Sequence, residues 1–400
     1  MSEKKLATDL IHNGDGQFQK KMNKTASVPE TFPLYLSSVY AFDDVPSVDA
    51  IYEKEAEGYI YSRISAPNAE AVSEIIAVID EGEKALVFSS GMAAITTSIL
   101  SFVSQGDHII SSPVLYGGVH DYLSNELPRF GIEVTFVDTL KEDITNYIKP
   151  NTKLIYTETI SNPLMEVPDI EAISKIAKEY KLLLFVDNTF ATPVVAKPLR
   201  LGADVVLYSA TKYLGGHSDI VGGVAVGSEK AINQIKRSLV LYGPILSPTD
   251  CWLLARSLRT LDLRMKKHSK NALKVAKFLE SHEKVEKVFY PGLLSFESYE
   301  RAKRQFRDGN FGGMLSVNLK GGEKEASLLI KELKNIPFVP SLAGTATTVS
   351  YSAKTSHRFY KKEDREKAGI ADNQLRFSIG LEDAEDIIGE IEKALHKIGS

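Results

Sequence analysis

The sequence contains one cysteine, Cys251, in 400 residues. A single thiol excludes an intrachain disulfide and a cysteine metal cluster, and it suits a reducing cytosol. Charge bias is missing as well. The 48 basic residues stand against 52 acidic ones, a net of −4, so no global field favours nucleic acid or an acidic membrane. No apolar run approaches the ~18 residues that a membrane span needs. The N-terminus, MSEKKLATDL, is charged and lacks the apolar core of a signal peptide. Internal repeats are absent, which excludes repeat architectures. What remains is an enzyme expected in the cytoplasm, acting on a small molecule, with no metal among its expected ligands.

At this length two or three domains are expected. Residues 1 to 62 are polar and irregular, broken by Pro29, Pro33 and Pro46, and are expected to lie against another surface, their own or a neighbouring subunit's. From Asn68, Val72, Ile75, Ile76 and Ile79 fall at helical spacing, and Gly82 can close the helix. Residues 85–88 predict a strand, followed by Ser89-Ser90-Gly91-Met92 and a helix through Leu100. A strand, small residues and a helix start aim backbone N–H groups at an anion. Strands are predicted at 108–111, 134–137, 154–157, 182–186, 203–208 and 223–226, and helices at 118–130 and 170–180. This alternation predicts an α/β fold with a mostly parallel sheet covered on both faces. Residues 248–282 read as one long helix leading into a second domain. Trp252, Leu254, Leu258, Leu261 and Met265 form its apolar side, and Lys266, Lys267, His268 and Lys270 a solvated basic one. Beyond it lie strands at 314–319 and 375–379 and helices at 323–333 and 383–398.

The stretch VVLYSATKYLGGHSDIVGG, residues 205–223, carries the chemistry. Lys212 follows a buried strand, where an amine can lose its proton and attack a carbonyl. An aldehyde cofactor with a pyridine ring and a phosphate would need such an amine, a carboxylate for the ring nitrogen and donors for the phosphate. Asp187, one βα unit earlier, can supply the carboxylate. Ser209 and Thr211, with the backbone of Gly91 and Met92, can hold the phosphate, and Tyr116 can stack on the ring. Ser89, Tyr116, Glu158, Asp187 and Lys212 all fall at carboxyl ends of strands, where such sheets bind ligands.

YSR at 61–63, SSGMAA at 89–94, YGG at 116–118, VDNTFATP at 186–193 and SATKYLGGHSD at 209–219 resemble one family. This is the sulfur-amino-acid group of fold-type I enzymes that use pyridoxal 5'-phosphate. It includes cystathionine γ-lyase, cystathionine γ-synthase, methionine γ-lyase and the acylhomoserine sulfhydrylases. The resemblance implies a Schiff-base role for Lys212, a ring-nitrogen partner in Asp187 and a hydrogen bond from Asn162 to the ring hydroxyl oxygen. Tyr61 and Arg63 would reach the phosphate of a neighbouring subunit, making the protein at least a dimer and, as usual in the family, a homotetramer. Arg376 and Ser341 would bind the substrate α-carboxylate, and Tyr116 would act as the acid for a leaving sulfur. Glu158 would lie near the cofactor, whereas His217 and Asp219 read as packing residues. The domains implied are an N-terminal segment, 1–62, a cofactor-binding large domain, 63–256, and a small α/β domain, 257–400.

The sequence departs from its relatives at Gly118, where methionine-specific lyases typically have cysteine. It departs again at His120-Asp121, and at FVPSLAG, where Pro340 replaces a usual glutamate and Ala343 interrupts Ser-Leu-Gly. The expected activity is a carbon–sulfur lyase on cystathionine, methionine or homocysteine, by γ- or β-elimination to a 2-oxo acid, ammonia and a thiol. A γ-replacement transferase uses the same residues and is the alternative; a non-catalytic binding module is the remote one.

Overall fold

The computed structural model describes residues 5–13, 29–355, 358, 365 and 369–398. Part of the N-terminal segment, 1–4 and 14–28, lies outside the described residues. A seven-stranded sheet is ordered β1-β7-β6-β5-β4-β2-β3. The strands are β1 (Lys84–Phe88), β2 (His108–Ser111), β3 (Glu133–Phe136), β4 (Thr152–Glu158), β5 (Leu183–Asp187), β6 (Val205–Ser209) and β7 (Gly223–Gly227). All neighbours pair in parallel except β7, which runs antiparallel to both β1 and β6. The mostly parallel sheet expected from the alternation is present.

Successive side chains of a strand point to opposite faces, and both faces here are covered. Leu207 and Val205 of β6 pack into one apolar layer with the helix Gly91–Leu100. Val206 and Tyr208 pack into the other with the helix Pro67–Asp80. That explains why these strands are apolar without alternation. In Pro67–Asp80, Val72, Ile75, Ile76 and Ile79 are fully buried, each stabilising the fold by ~1.5–3 kcal/mol. The left-handed residue that ends this helix is Glu81, at φ 62°, not Gly82. Glu81 is held there by Lys197, at 2.5 Å, and by Arg200. Gly82 serves close packing instead, since a Cβ there would sit 2.5 Å from Val226.

Two sequence expectations fail for identifiable reasons. The helix expected at 118–130 is an α-helical turn, Gly117–Asp121, then a π-helical turn, Tyr122–Glu126, then a 3-10 turn, Leu127–Phe130. Pro128 has no N–H for an α-helical bond, so the ladder changes pitch around it. The long helix at 248–282 is two helices, Pro248–Leu258 and Leu261–Ser281. Between them the Ser257 carbonyl accepts from Arg264 Nη2 at 2.9 Å and from Thr260 Oγ1 at 3.2 Å, which stops the first helix. His268 also leaves the solvated face assigned to it. It is fully buried, edge-on to Tyr213 and bonded through Nδ1 to the Ile379 carbonyl oxygen at 2.6 Å. The helix Glu229–Tyr242, capped by Ser228, has no counterpart in the sequence reading.

A second, antiparallel sheet is ordered β10-β11-β9-β8, from β8 (Val285–Phe289), β9 (Met314–Leu319), β10 (Thr348–Ser350) and β11 (Gln374–Ser378). Leu261–Ser281 packs on β8 and β9, and Ala384–His396 packs on Leu261–Ser281. Among the described residues no helix is long and apolar enough to cross a membrane.

Candidate active site

The carboxyl ends of β4, β5 and β6 face the start of Gly91–Leu100 and the side chain of Arg376 on β11 across a cavity of about 280 Å³. Lys212 lies just past β6. Its Nζ donates to Ser341 Oγ at 3.0 Å. Burial, and then the nearby Arg376 cation, bring the amine down from 10.5 to about 8. Roughly a tenth of the amine is therefore neutral at pH 7, and the neutral amine is the nucleophile.

Asp187 ends β5 and is buried. Its Oδ1 accepts the Thr189 N–H at 2.9 Å, while burial pushes its carboxyl up from the usual value. Among the described residues it forms no ion pair, so the cavity offers a carboxylate that lacks a cation. Thr189 Oγ1 accepts the Ser209 N–H at 2.8 Å, which fixes the ends of β5 and β6 together.

Ser90 caps the helix Gly91–Leu100, accepting the Ala93 N–H at 3.0 Å. The first amides of a helix have no intrahelical partner, and those of Gly91 and Met92 border the cavity beside Ser209 and Thr211. A Cβ at Gly91 would stand 2.7 Å from that of Ser209. Glycine thus lets the helix start close against the strand end, forming an anion cradle.

Tyr116 is 46% exposed and precedes the turn Gly117–Asp121. A Cβ at Gly118 would lie 2.8 Å from Tyr116 Cε1, so the absent side chain is what lets the ring lie against the backbone. Arg376 is buried and donates through Nη1 to Asn162 Oδ1 at 2.7 Å. Among the described residues its Nε has no partner, leaving a buried guanidinium N–H beside a cavity that also carries apolar side chains such as Ile95 and Phe190. Burial lowers Arg376 to about 10, which keeps it charged.

Lys212, Asp187, Asn162, Ser209, Thr211, Gly91, Met92, Tyr116, Ser341 and Arg376 thus border one cavity. Tyr61 and Arg63 do not. Arg63 lines a separate cleft of about 350 Å³, stacks on Tyr61 at 5.4 Å and donates to the Val240 carbonyl. His217 and Asp219 are exposed and outside the cavity. Thr189 went unrecognised in the sequence, although a threonine two residues past the aspartate is a recurrent turn signal.

An amine, a cation-free carboxylate, an anion cradle and an unpaired guanidinium N–H suit a phosphorylated pyridine aldehyde and an amino acid. The family model described as Cys/Met metabolism PLP-dependent enzyme matches residues 7–396. The chain is 40% identical to an L-methionine gamma-lyase of Fusobacterium nucleatum subsp. nucleatum over 402 residues, covering 100% of both. It is 43% identical to the cystathionine beta-lyase MetC of Bacillus subtilis over 348 residues, covering 86% of this chain and 88% of that one. A solved structure of a putative O-acetylhomoserine (thiol)-lyase from Campylobacter jejuni superposes with a TM-score of 0.92 at 28% identity, over 98% of this chain and 100% of that one. That structure carries a pyridoxyl-lysine phosphate.

Proposed function

The chain belongs to the Cys/Met metabolism family of PLP-dependent enzymes, and from that premise we propose how its residues divide the work of a carbon–sulfur lyase. The protein is a PLP-dependent lyase of sulfur amino acids. The carrying observation is that Lys212, Asp187 and Arg376 border one cavity, with the amine depressed to about 8.

When bound, pyridoxal phosphate supplies the electron sink that makes the amino-acid Cα–H acidic. Gly91, Met92, Ser209 and Thr211 would hold its phosphate, Asp187 its ring-nitrogen proton and Asn162 its ring oxygen. Arg376 grips the substrate α-carboxylate by charge-assisted hydrogen bonds, with Ser341 beside it. Lys212 Nζ takes the α-proton and delivers it further along the side chain. Tyr116, half exposed over the cavity, gives a proton to the departing sulfur. With one water consumed to hydrolyse the released enamine, the outcome is a 2-oxo acid, ammonia and a thiol.

Within the family we propose methionine, homocysteine and cystathionine as substrates of one open site. Gly118 supports breadth, because no side chain there crowds the Tyr116 ring. We also propose a cytoplasmic oligomer, at least a dimer and of tetrameric type, in which Tyr61 and Arg63 complete a neighbour's phosphate site. Their position outside the chain's own cavity supports this.

A γ-replacement transferase is the second reading, favoured by the likeness to the Campylobacter jejuni structure. Mass spectrometry of products from cystathionine, methionine, homocysteine, and O-acetylhomoserine with sulfide separates the two. The lyase reading expects 2-oxo acids, whereas dominant formation of homocysteine from O-acetylhomoserine and sulfide would overturn it.

A further inference from the structure

β4 and β5 pair in parallel with Glu158 opposite Asp187, so two carboxyl groups leave adjacent strands at one sheet edge. Both are buried and both border the cavity. Among the described residues neither forms an ion pair. Glu158 Oε1 accepts the Tyr116 backbone N–H at 2.8 Å, which ties it directly to the residue that carries the ring over the cavity.

Adjacent desolvated carboxyls without a counter-ion cannot both be charged, and such a pair shares one proton at neutral pH. The groups facing Glu158 decide where the proton rests. From β5, Asp187 repels its charge. On the far side, Glu158 borders a small pocket with Asp138 and Glu166, of which Asp138 is paired with Lys141 at 2.8 Å. Arg376 on β11 attracts Glu158 across the site, but that guanidinium already donates to Asn162. Lys212 is still mostly protonated at neutral pH, but its Nζ is bonded to Ser341 and not to Glu158. Burial first, then Asp187, push Glu158 well above the ordinary carboxyl range. The backbone N–H groups of Tyr116 and Asn162 favour the charged form of Glu158, as the hydrogen bonds of Thr189 favour that of Asp187, but Glu158 is raised the further of the two.

We propose that Glu158 is a positioning residue working as a neutral acid, which anchors the Tyr116 backbone and leaves the site's single carboxylate charge to Asp187. A charged Glu158 would compete for Arg376 and for the proton that Asp187 is to hold. The inference rests on the reading of Asp187 as partner to the cofactor ring.

Glutamine reproduces the neutral shape and the carbonyl acceptor, whereas alanine leaves the Tyr116 N–H unpaired. Glu158→Ala is expected to lower kcat roughly tenfold or more, and Glu158→Gln to restore it to within about threefold of wild type. A purely structural carboxylate would give no such rescue. Infrared difference spectra of cofactor-free wild type against Glu158→Gln, at neutral pH, are expected to show the carbonyl stretch of a protonated carboxyl. Absence of that band, or a Glu158→Gln enzyme as impaired as Glu158→Ala at native Tm, would overturn the inference. If wild type takes up no pyridoxal phosphate, the functional reading fails, and the infrared band in the cofactor-free protein still decides for or against the neutral acid.

Discussion

Lys212 Nζ donates to Ser341 Oγ across 3.0 Å, so the amine at the end of β6 is held by a loop that leads into the other sheet. Above about pH 8, where the amine is neutral, a hydrogen bond of this kind contributes ~0.5–1.5 kcal/mol, so Ser341→Ala is expected there to lower kcat/KM roughly three- to tenfold. Lys212→Ala is expected to abolish turnover. Steady-state kinetics with methionine checks both, and product formation by Lys212→Ala at the wild-type rate would overturn the role of the amine.

The titration of that amine gives a second test. Its ordinary value of 10.5 falls to about 8, so it is protonated below that pH and neutral above it. Capture of pyridoxal phosphate by the cofactor-free protein, followed by visible absorbance, is expected to accelerate with rising pH and level off above about 8. Arg376→Gln removes the neighbouring cation and is expected to move the midpoint upward. A rate that is flat across this window would show that the neutral amine does not limit capture.

The two sheets and the cavity were legible to different degrees. β4, β5 and β6 announce themselves as apolar runs because helices cover both their faces. The break after Leu258 does not, because Leu254, Leu258, Leu261 and Met265 keep helical spacing across it. The reach of Arg264 and Thr260 to the Ser257 carbonyl stops the helix. His268 looked solvated among lysines, yet Tyr213 and the Ile379 carbonyl bury it. At the site, Lys212 and Asp187 stand in short contiguous motifs. The Ser341 contact closes a gap of 129 residues, and no local pattern encodes that.

Arg376 offers a fork that lysine cannot copy. Hydrogen bonds to a charged group are worth ~1.5–3 kcal/mol, so Arg376→Lys is expected to lower kcat/KM roughly 10- to 150-fold. The loss should fall mainly on KM, because the α-carboxylate is gripped before and during reaction alike. Saturation kinetics checks the split, and a pure kcat effect would argue for a part in the chemical step.

Asp80 makes a pH prediction about stability. It is fully buried, and its Oδ1 accepts from Tyr208 at 2.6 Å, while its Oδ2 has no partner among the described residues. Burial raises it from 3.8 to about 7. Between these values the folded chain holds a proton that the unfolded chain has released, so stability falls as pH rises through the window. The full rise corresponds to on the order of 4 kcal/mol. Asp80→Asn keeps the acceptor for Tyr208 and removes the ionisation. Its Tm relative to wild type is expected to climb between about pH 4 and pH 7 and to be constant above. A pH-independent difference would place the proton elsewhere.

Arg63, stacked on Tyr61, lines a cleft separate from Lys212, and a composite site predicts complementation between two defective chains. Lys212→Ala removes the amine, and Arg63→Ala removes a phosphate contact donated to the neighbour. In a mixed dimer one site carries both lesions and the other neither. Random reassembly of equal amounts should then restore about a quarter of wild-type sites. The assay is activity after the two variants are denatured and refolded together, against each refolded alone. Activity equal to the average of the two parents would confine the site to one chain and remove the purpose proposed for Arg63.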